Sequence, residues 1–211
     1  MAERRFCNAE CVGSNPSFGL MFDIVPDREI EKLADSDYVG DIERESGGDL
    51  HVGPSSLDVH IAPEKVVVEG GGGTSPRKDY TRFNVSEEDS YPETTRYDSQ
   101  ENIKIAPGEF CLARTDERFD LPPDWMALMH GRSSVGRLGL FVENAGLVDR
   151  GFEGTLTLEL YNPTDNRITV PSYTRVAQLL FFDQGGIEGN EYGGKYQGQT
   201  DATASRLYED E

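Results

Sequence analysis

"NIKIAPGEFCLARTDERFDLPPDWMALMHGRSS" (residues 102–134) decides the fold class. Short runs of apolar and β-favouring residues are broken by Pro107–Gly108 and by Pro122–Pro123. Such punctuation predicts strands joined by turns and leaves no room for long helices. The pattern continues C-terminally in "GLFVENAGLVDRGFEGTLTLELYNPTDNRITV" (139–170), with turns at Asp149–Gly151 and Pro163–Asn166, and in "TRVAQLLFFDQ" (174–184). N-terminally, "DLHVGPSSLDVHIAPEKVVVEGGGG" (49–73) alternates: Leu57, Val59 and Ile61 face one way, Asp58 and His60 the other, and Gly70–Gly73 end the run. One short helix is expected in "VPDREIEKLAD" (25–35), capped by Asp27, with Glu29 and Glu31 near its N-terminus and Ile30 and Leu33 on one face. Closely spaced strands with little helix predict a mainly β protein, a distorted antiparallel β-barrel or jelly-roll-like domain.

The pattern divides the chain into a polar extension (1–22), the β domain (23–184) and a Gly-rich polar tail (185–211). That tail is expected to be flexible, or ordered only against something else. Residues 74–100, with "SEEDSYPETTRYDSQEN" (86–102) at their end, carry no helical or strand period. They read as a surface excursion with room for one short strand.

Composition narrows the function classes. The chain holds 39 Asp+Glu against 20 Lys+Arg, a formal charge of −19. A phosphate backbone would be repelled, so general nucleic-acid binding is excluded. Abundant carboxylates with little lysine suit a protein kept soluble in concentrated salt, and a halophilic source is expected. No run approaches the roughly 18 apolar residues of a membrane span. The first residues lack an apolar signal core, so no membrane partner and a cytoplasmic location are expected. Cys7, Cys11 and Cys111 form no framework and no complete metal-ligand set, and free thiols are expected.

Against this acidic background "GRSSVGRLG" (131–139) places Arg132 and Arg137 around Ser133, Ser134, Val135 and Gly136 with no acid among them. A guanidinium, two hydroxyls and main-chain N–H groups in one turn suit phosphate oxygens. The plainer alternative is a turn whose arginine pairs with a surface acid. In "TLTLELYN" (155–162), alternation sets Thr155, Thr157 and Glu159 on one face and Leu156, Leu158 and Leu160 on the other. Glu159 is then either a solvated carboxylate or a general base on a rigid strand, oriented by an arginine such as Arg137. Asp149 in "GLVDRGFEG" (146–154) is either a turn former before Gly151 or a carboxylate at a pocket mouth.

The order "GRSSVGRLGL" (131–140), "AGLVDRGFEG" (145–154), "TLTLELYN" (155–162), "KYQGQ" (195–199) and "SR" (205–206) resembles the dCTP deaminases of the dUTPase-like superfamily. "GPSSLDVHI" (53–61) and "PGEFCLARTDERFDLPPD" (107–124) share the resemblance, which covers about residues 23–206 apart from 74–100. It implies a homotrimer of dUTPase-like β-barrels with active sites between subunits, acting in pyrimidine deoxynucleotide metabolism. The implied reaction converts dCTP to dUTP and ammonia, with Mg²⁺ bound through the substrate phosphates and dTTP as a candidate inhibitor. By the same resemblance Glu159 is the catalytic glutamate, supported by Arg137 and Ser133. Arg132 to Arg137 form the phosphate loop, and Asp149 contacts the deoxyribose. Thr157, Leu158 and Glu159 line the base, and Lys195 and Gln199 close the tail over the triphosphate. Tyr192 matches a tail tyrosine, with shorter spacing to Lys195.

Zinc is not expected. The chain has neither the H-x-E nor the P-C-x-x-C motif of zinc deaminases, and His51, His60 and His130 form no ligand pattern. Water would be held by Ser133, by carbonyls of "ENAG" (143–146) and by Glu159, with Arg137 keeping Glu159 ionised and aimed. Two departures fall in that loop, which is one residue shorter than in the deaminases and has Asn144 where threonine is usual. Gly146 after Ala145 resembles the bifunctional enzymes that form dUMP and pyrophosphate. A dUTP diphosphatase and a non-catalytic nucleotide-binding regulator are the other readings.

Overall fold

The computed structural model describes residues 23–33, 41–68, 84–143, 146–184 and 189–210. The extension with Cys7 and Cys11, Asn144 and Ala145, and most of the excursion's first half lie outside the described residues.

The strands are β1 (Asp23–Ile24), β2 (Asp41–Arg44), β3 (His51–Gly53), β4 (Ser56–His60), β5 (Lys65–Val68), β6 (Thr94–Tyr97) and β7 (Asn102–Ile105). They continue with β8 (Phe110–Asp120), β9 (Trp125–Gly131), β10 (Phe141–Glu143), β11 (Leu147–Val148), β12 (Glu153–Tyr161), β13 (Ile168–Pro171) and β14 (Arg175–Asp183). Two short helices, α1 (Asp27–Lys32) and α2 (Ser133–Gly136), complete the set. One six-stranded sheet runs β11-β9-β14-β4-β3, with β1 also on β14. The second runs β10-β12-β8-β5-β6, with β2 also on β8. β13 and β7 pair separately. Every strand pair is antiparallel. The mainly β, antiparallel architecture is the one the turn pattern predicts.

Both sheets feed one core. Leu57 and Val59 of β4, Ala127 of β9 and Leu179 and Phe181 of β14 pack with Ile42, Ala113, Phe119, Leu158 and Leu160 from the other sheet. In β12 the leucines point into this core while Thr157 and Glu159 remain half-buried on the opposite face, as period-two geometry requires.

One local expectation is corrected. Asp27 does not cap α1. Pro26 holds the cap position, its carbonyl accepts the Glu29 and Ile30 N–H groups, and Asp27 instead accepts the N–H of Arg28 at 2.8 Å. Proline's fixed φ already suits that entry, so no side-chain cap is needed. Ile30 and Leu33 are buried on one face as expected. On the other face of β4, His60 is covered. It is buried beside Glu117, whose carboxylate accepts the His60 main-chain N–H at 2.9 Å and lies 2.5 Å from Nδ1. Arg44 and Ser46 bind the adjacent buried Asp116. Alternation predicts which residues share a face, but not whether that face is covered.

The excursion ends in β6, which extends the second sheet beside β5. The tail segment 189–210 lies along β12 of its own chain. The Gly198 N–H reaches the Glu153 carbonyl, and the Thr155 N–H reaches the Gln199 carbonyl, each at 2.8 Å.

Candidate active site

A cavity of about 490 Å³ opens between β12, the β11–β12 turn, the end of the excursion and the tail. This is within the ~300–1,000 Å³ usual for small-molecule sites. Six of the residues singled out from the sequence line it: Gly146, Asp149, Thr157, Glu159, Tyr192 and Gln199.

β12 delivers Thr157 and Glu159 because its other face is locked into the core by Leu158 and Leu160. Burial raises the Glu159 pKa above the usual carboxylate range, and the charge of Glu143 raises it further. Glu143 stands directly across the β10–β12 pair. A half-buried carboxyl shifted upward is suited to both accepting and returning a proton. Asp149 is exposed at the mouth, in the turn that Gly151 closes at φ +69°. Tyr192 packs its ring 5.8 Å from Phe152, and its hydroxyl accepts the Tyr196 N–H at 3.3 Å. Gln199 donates its amide to the Thr155 carbonyl at 2.6 Å.

The remaining residues are placed elsewhere. The Leu158 side chain is fully buried in the core, so only its main chain can face a ligand. Ser133, Ser134 and Gly136 are exposed on α2 and Arg137 directly after it, and Val135 packs against the core edge. Arg132 lies 3.3 Å from the Asp58 carboxylate, which it shares with Arg175, so within one chain the plainer reading of that arginine holds. Arg137 has no ion pair among the described residues. The single chain thus does not set it against Glu159, and the raised Glu159 pKa reflects burial rather than a cationic neighbour. Lys195 pairs with Asp210 at 2.6 Å, outside the cavity lining.

The sequence reading missed one wall. Val85, Tyr91, Pro92 and Thr94 of the excursion line the cavity beside the tail. Their only signal was a few apolar residues in a charged segment with no period.

A family model for dCTP deaminase-like proteins matches residues 24–184. The chain belongs to this family. A relative from Aquifex aeolicus (strain VF5), named as a dUMP-forming dCTP deaminase, is 38% identical over 188 residues, covering 89% of this chain and 97% of the relative. A dCTP deaminase from Natronomonas pharaonis is 35% identical over 200 residues, covering 89% and 96%. The crystal structure of 2'-deoxycytidine 5'-triphosphate deaminase from Agrobacterium tumefaciens superposes with a TM-score of 0.57 at 22% identity. That match covers 77% of this chain and 49% of that one, and it bears on the fold alone. In this dCTP deaminase-like chain the matched span includes β12 and the turn before it, so the carboxylates of the cavity lie inside the family's shared region.

Proposed function

We propose that the protein deaminates dCTP by hydrolysis, releasing dUTP and ammonia, with Glu159 as general base. The observation that carries this reading is a half-buried carboxyl of raised pKa, held by a core-anchored strand in a cavity of nucleotide size, in a chain of the dCTP deaminase-like family. As water attacks C4 of cytosine, Glu159 takes its proton. That proton goes to N3, the second water proton follows onto the amine, and the C4–N bond breaks as ammonia leaves. Asp149 at the mouth suits a deoxyribose hydroxyl, and Thr157 lies beside the base.

The cationic loop completes the site in a homotrimer. Arg132, Ser133, Ser134 and Arg137 of one subunit would reach the phosphates held in the cavity of the next, and Arg137 would meet Glu159 there. Leu138 is 78% exposed, and Phe141 is also exposed beside this loop, so a second copy would cover apolar surface at this position. Among the described residues no three His, Cys, Asp or Glu side chains cluster to hold a metal. Mg²⁺ carried by substrate phosphate oxygens would offset negative charge there. Lys195 and Gln199 of the tail would close over the triphosphate, and dTTP would compete for the same cavity. The acidic composition fits a salt-rich cytoplasm.

A second reading is the dUMP-forming enzyme. It is favoured by Gly146 at the cavity wall, where the φ of +72° suits glycine, and by the exposed Asp149 nearby. Product analysis separates the readings. The protein is incubated with dCTP, and separately with dUTP, in Mg²⁺ and high salt. Ammonia with accumulating dUTP supports the deaminase. Ammonia with dUMP and pyrophosphate supports the bifunctional enzyme. Pyrophosphate from dUTP alone demotes Glu159 to a wall residue, and binding with no turnover of either makes the chain a regulator.

A further inference from the structure

The outer wall of the cavity comes from two segments distant in sequence, and one buried carboxylate joins them. Glu64, in the link between β4 and β5, is only 5% exposed. Its Oε1 accepts the Ala202 main-chain N–H at 3.0 Å and Arg96 Nη1 at 2.7 Å. Its Oε2 accepts Arg114 Nε at 3.0 Å. Arg96 belongs to β6, at the end of the excursion, and its Nη2 donates to the Ala202 carbonyl at 3.3 Å. Its Nη1 lies 3.4 Å from the Asp201 carboxylate. Both main-chain groups of Ala202 are therefore tied, and the residue itself is buried. On either side of this point the tail lines the cavity, through Gln199 before it and Thr203 and Ala204 after it. The Thr203 N–H also reaches Thr157 Oγ1 at 3.2 Å, two residues from Glu159.

We propose that Glu64 and Arg96 form a latch that positions the C-terminal tail as a wall of the nucleotide cavity before substrate arrives. Its kinetic consequence rests on the deaminase reading, while the latch itself rests on geometry alone. A buried carboxylate is tolerated only when its oxygens are satisfied, and three of the donors that satisfy Glu64 come from the excursion, the tail and β8. Arg114 keeps a second partner in Glu45 at 2.7 Å, so loss of the tail-facing contacts is the change the site cannot offset locally. If the tail is docked in about a tenth of molecules, apparent nucleotide affinity falls about tenfold, whereas saturating nucleotide restores the closed arrangement. Glu64 and Arg96 thus act on KM and leave kcat nearly unchanged.

The test uses the full chain as wild type, Arg96→Ala and Glu64→Gln. Hydrogen exchange is followed at the amides of residues 199–206 and, as an internal reference, at those of β12. KM and kcat for dCTP are measured on the same samples. The Arg96 side chain is 38% exposed and outside the core, so Arg96→Ala tests the latch even where Glu64→Gln folds poorly. The expected result is loss of protection at Ala202 and Thr203 with β12 protection kept. KM should rise about tenfold and kcat stay within about twofold. Arg96→Lys, which keeps the charge but not the fork, should restore part of the protection. Unchanged tail protection in Arg96→Ala overturns the latch, as does a loss that falls on kcat with KM unmoved. If the wild type turns over no dCTP while Arg96→Ala still strips the tail, the deaminase reading falls and the latch stands.

Discussion

β12 carries Glu159 into a cavity that the chain closes by itself, whereas α2 and the residue directly after it hold Ser133, Ser134 and Arg137 out in solvent. The acidic half of the site is finished within one subunit, walled by its own tail and excursion. The basic half has nothing to act on there. The difference separates two kinds of dependence. Glu159 relies on the core leucines of its own strand for its aim, and on the proposed assembly the cationic loop relies on a neighbour for its purpose. For a chain of charge −19, that loop at the proposed subunit boundary would concentrate positive potential where an anionic substrate enters.

The largest expected effect breaks the acidic half alone. Glu159→Gln keeps shape and neighbours but removes the proton acceptor, and ammonia release should fall about 10²- to 10⁴-fold. Nucleotide binding, measured by calorimetry, should persist. Loss of binding together with turnover would instead make Glu159 a structural group. Next in size is Arg137→Ala, with a fall of order 10²-fold on the proposed trimer. Here the comparison can be sharpened by mixing. Chains carrying Glu159→Gln and chains carrying Arg137→Ala, unfolded and refolded together, should regain activity that neither has alone. No recovery in mixed trimers would place both residues in one subunit's site.

How much of this was legible in the sequence follows from the range of the interactions. Thr157 and Glu159 facing one way and Leu158 the other is a consequence of strand geometry, and the reading of "TLTLELYN" carried through to the cavity. The burial of His60 was not legible, since it depends on Glu117, 57 residues away, standing over the face that alternation left polar. The excursion wall was less visible still. Arg96 meets Ala202 across 106 residues and Glu64 meets it across 138, and no local period announces either contact. The separation of Arg137 from Glu159 belongs to a third class, because motif order groups the two residues but does not say whether one chain brings them together.

The tail wall offers a smaller break in the self-contained half. Gly154 adopts φ +136°, and a Cβ there would lie 2.6 Å from the Gln199 carbonyl oxygen and 3.0 Å from its nitrogen. Gly154→Ala should lift the tail off β12, exposing the Gln199 and Thr203 amides to exchange, and raise KM for nucleotide about tenfold. The strained backbone should also cost of order 1–2 kcal/mol of stability in urea unfolding. A variant with normal KM and a protected tail would show that the Gly154–Gln199 approach is incidental.

The smallest effect concerns protons. Glu159 works as a base only when ionised, and burial followed by the Glu143 charge raises its pKa. Activity should therefore fall as pH drops through the Glu159 pKa, which the neighbour's Arg137 would draw back down in the proposed trimer, and the acidic limb of kcat/KM should report it. Glu143→Gln removes the second cause and leaves the first, so the limb should move down. The stability sign is the reverse. A carboxyl whose folded pKa is raised favours the fold while protonated, and that contribution is lost as pH rises through the folded value. Neutralising the neighbour should then make the chain slightly more stable at neutral pH, with the gain fading in acid. If Glu143→Gln leaves the limb in place, then burial alone sets the Glu159 pKa, and the pairing of two carboxylates across β10 and β12 has no part in the chemistry.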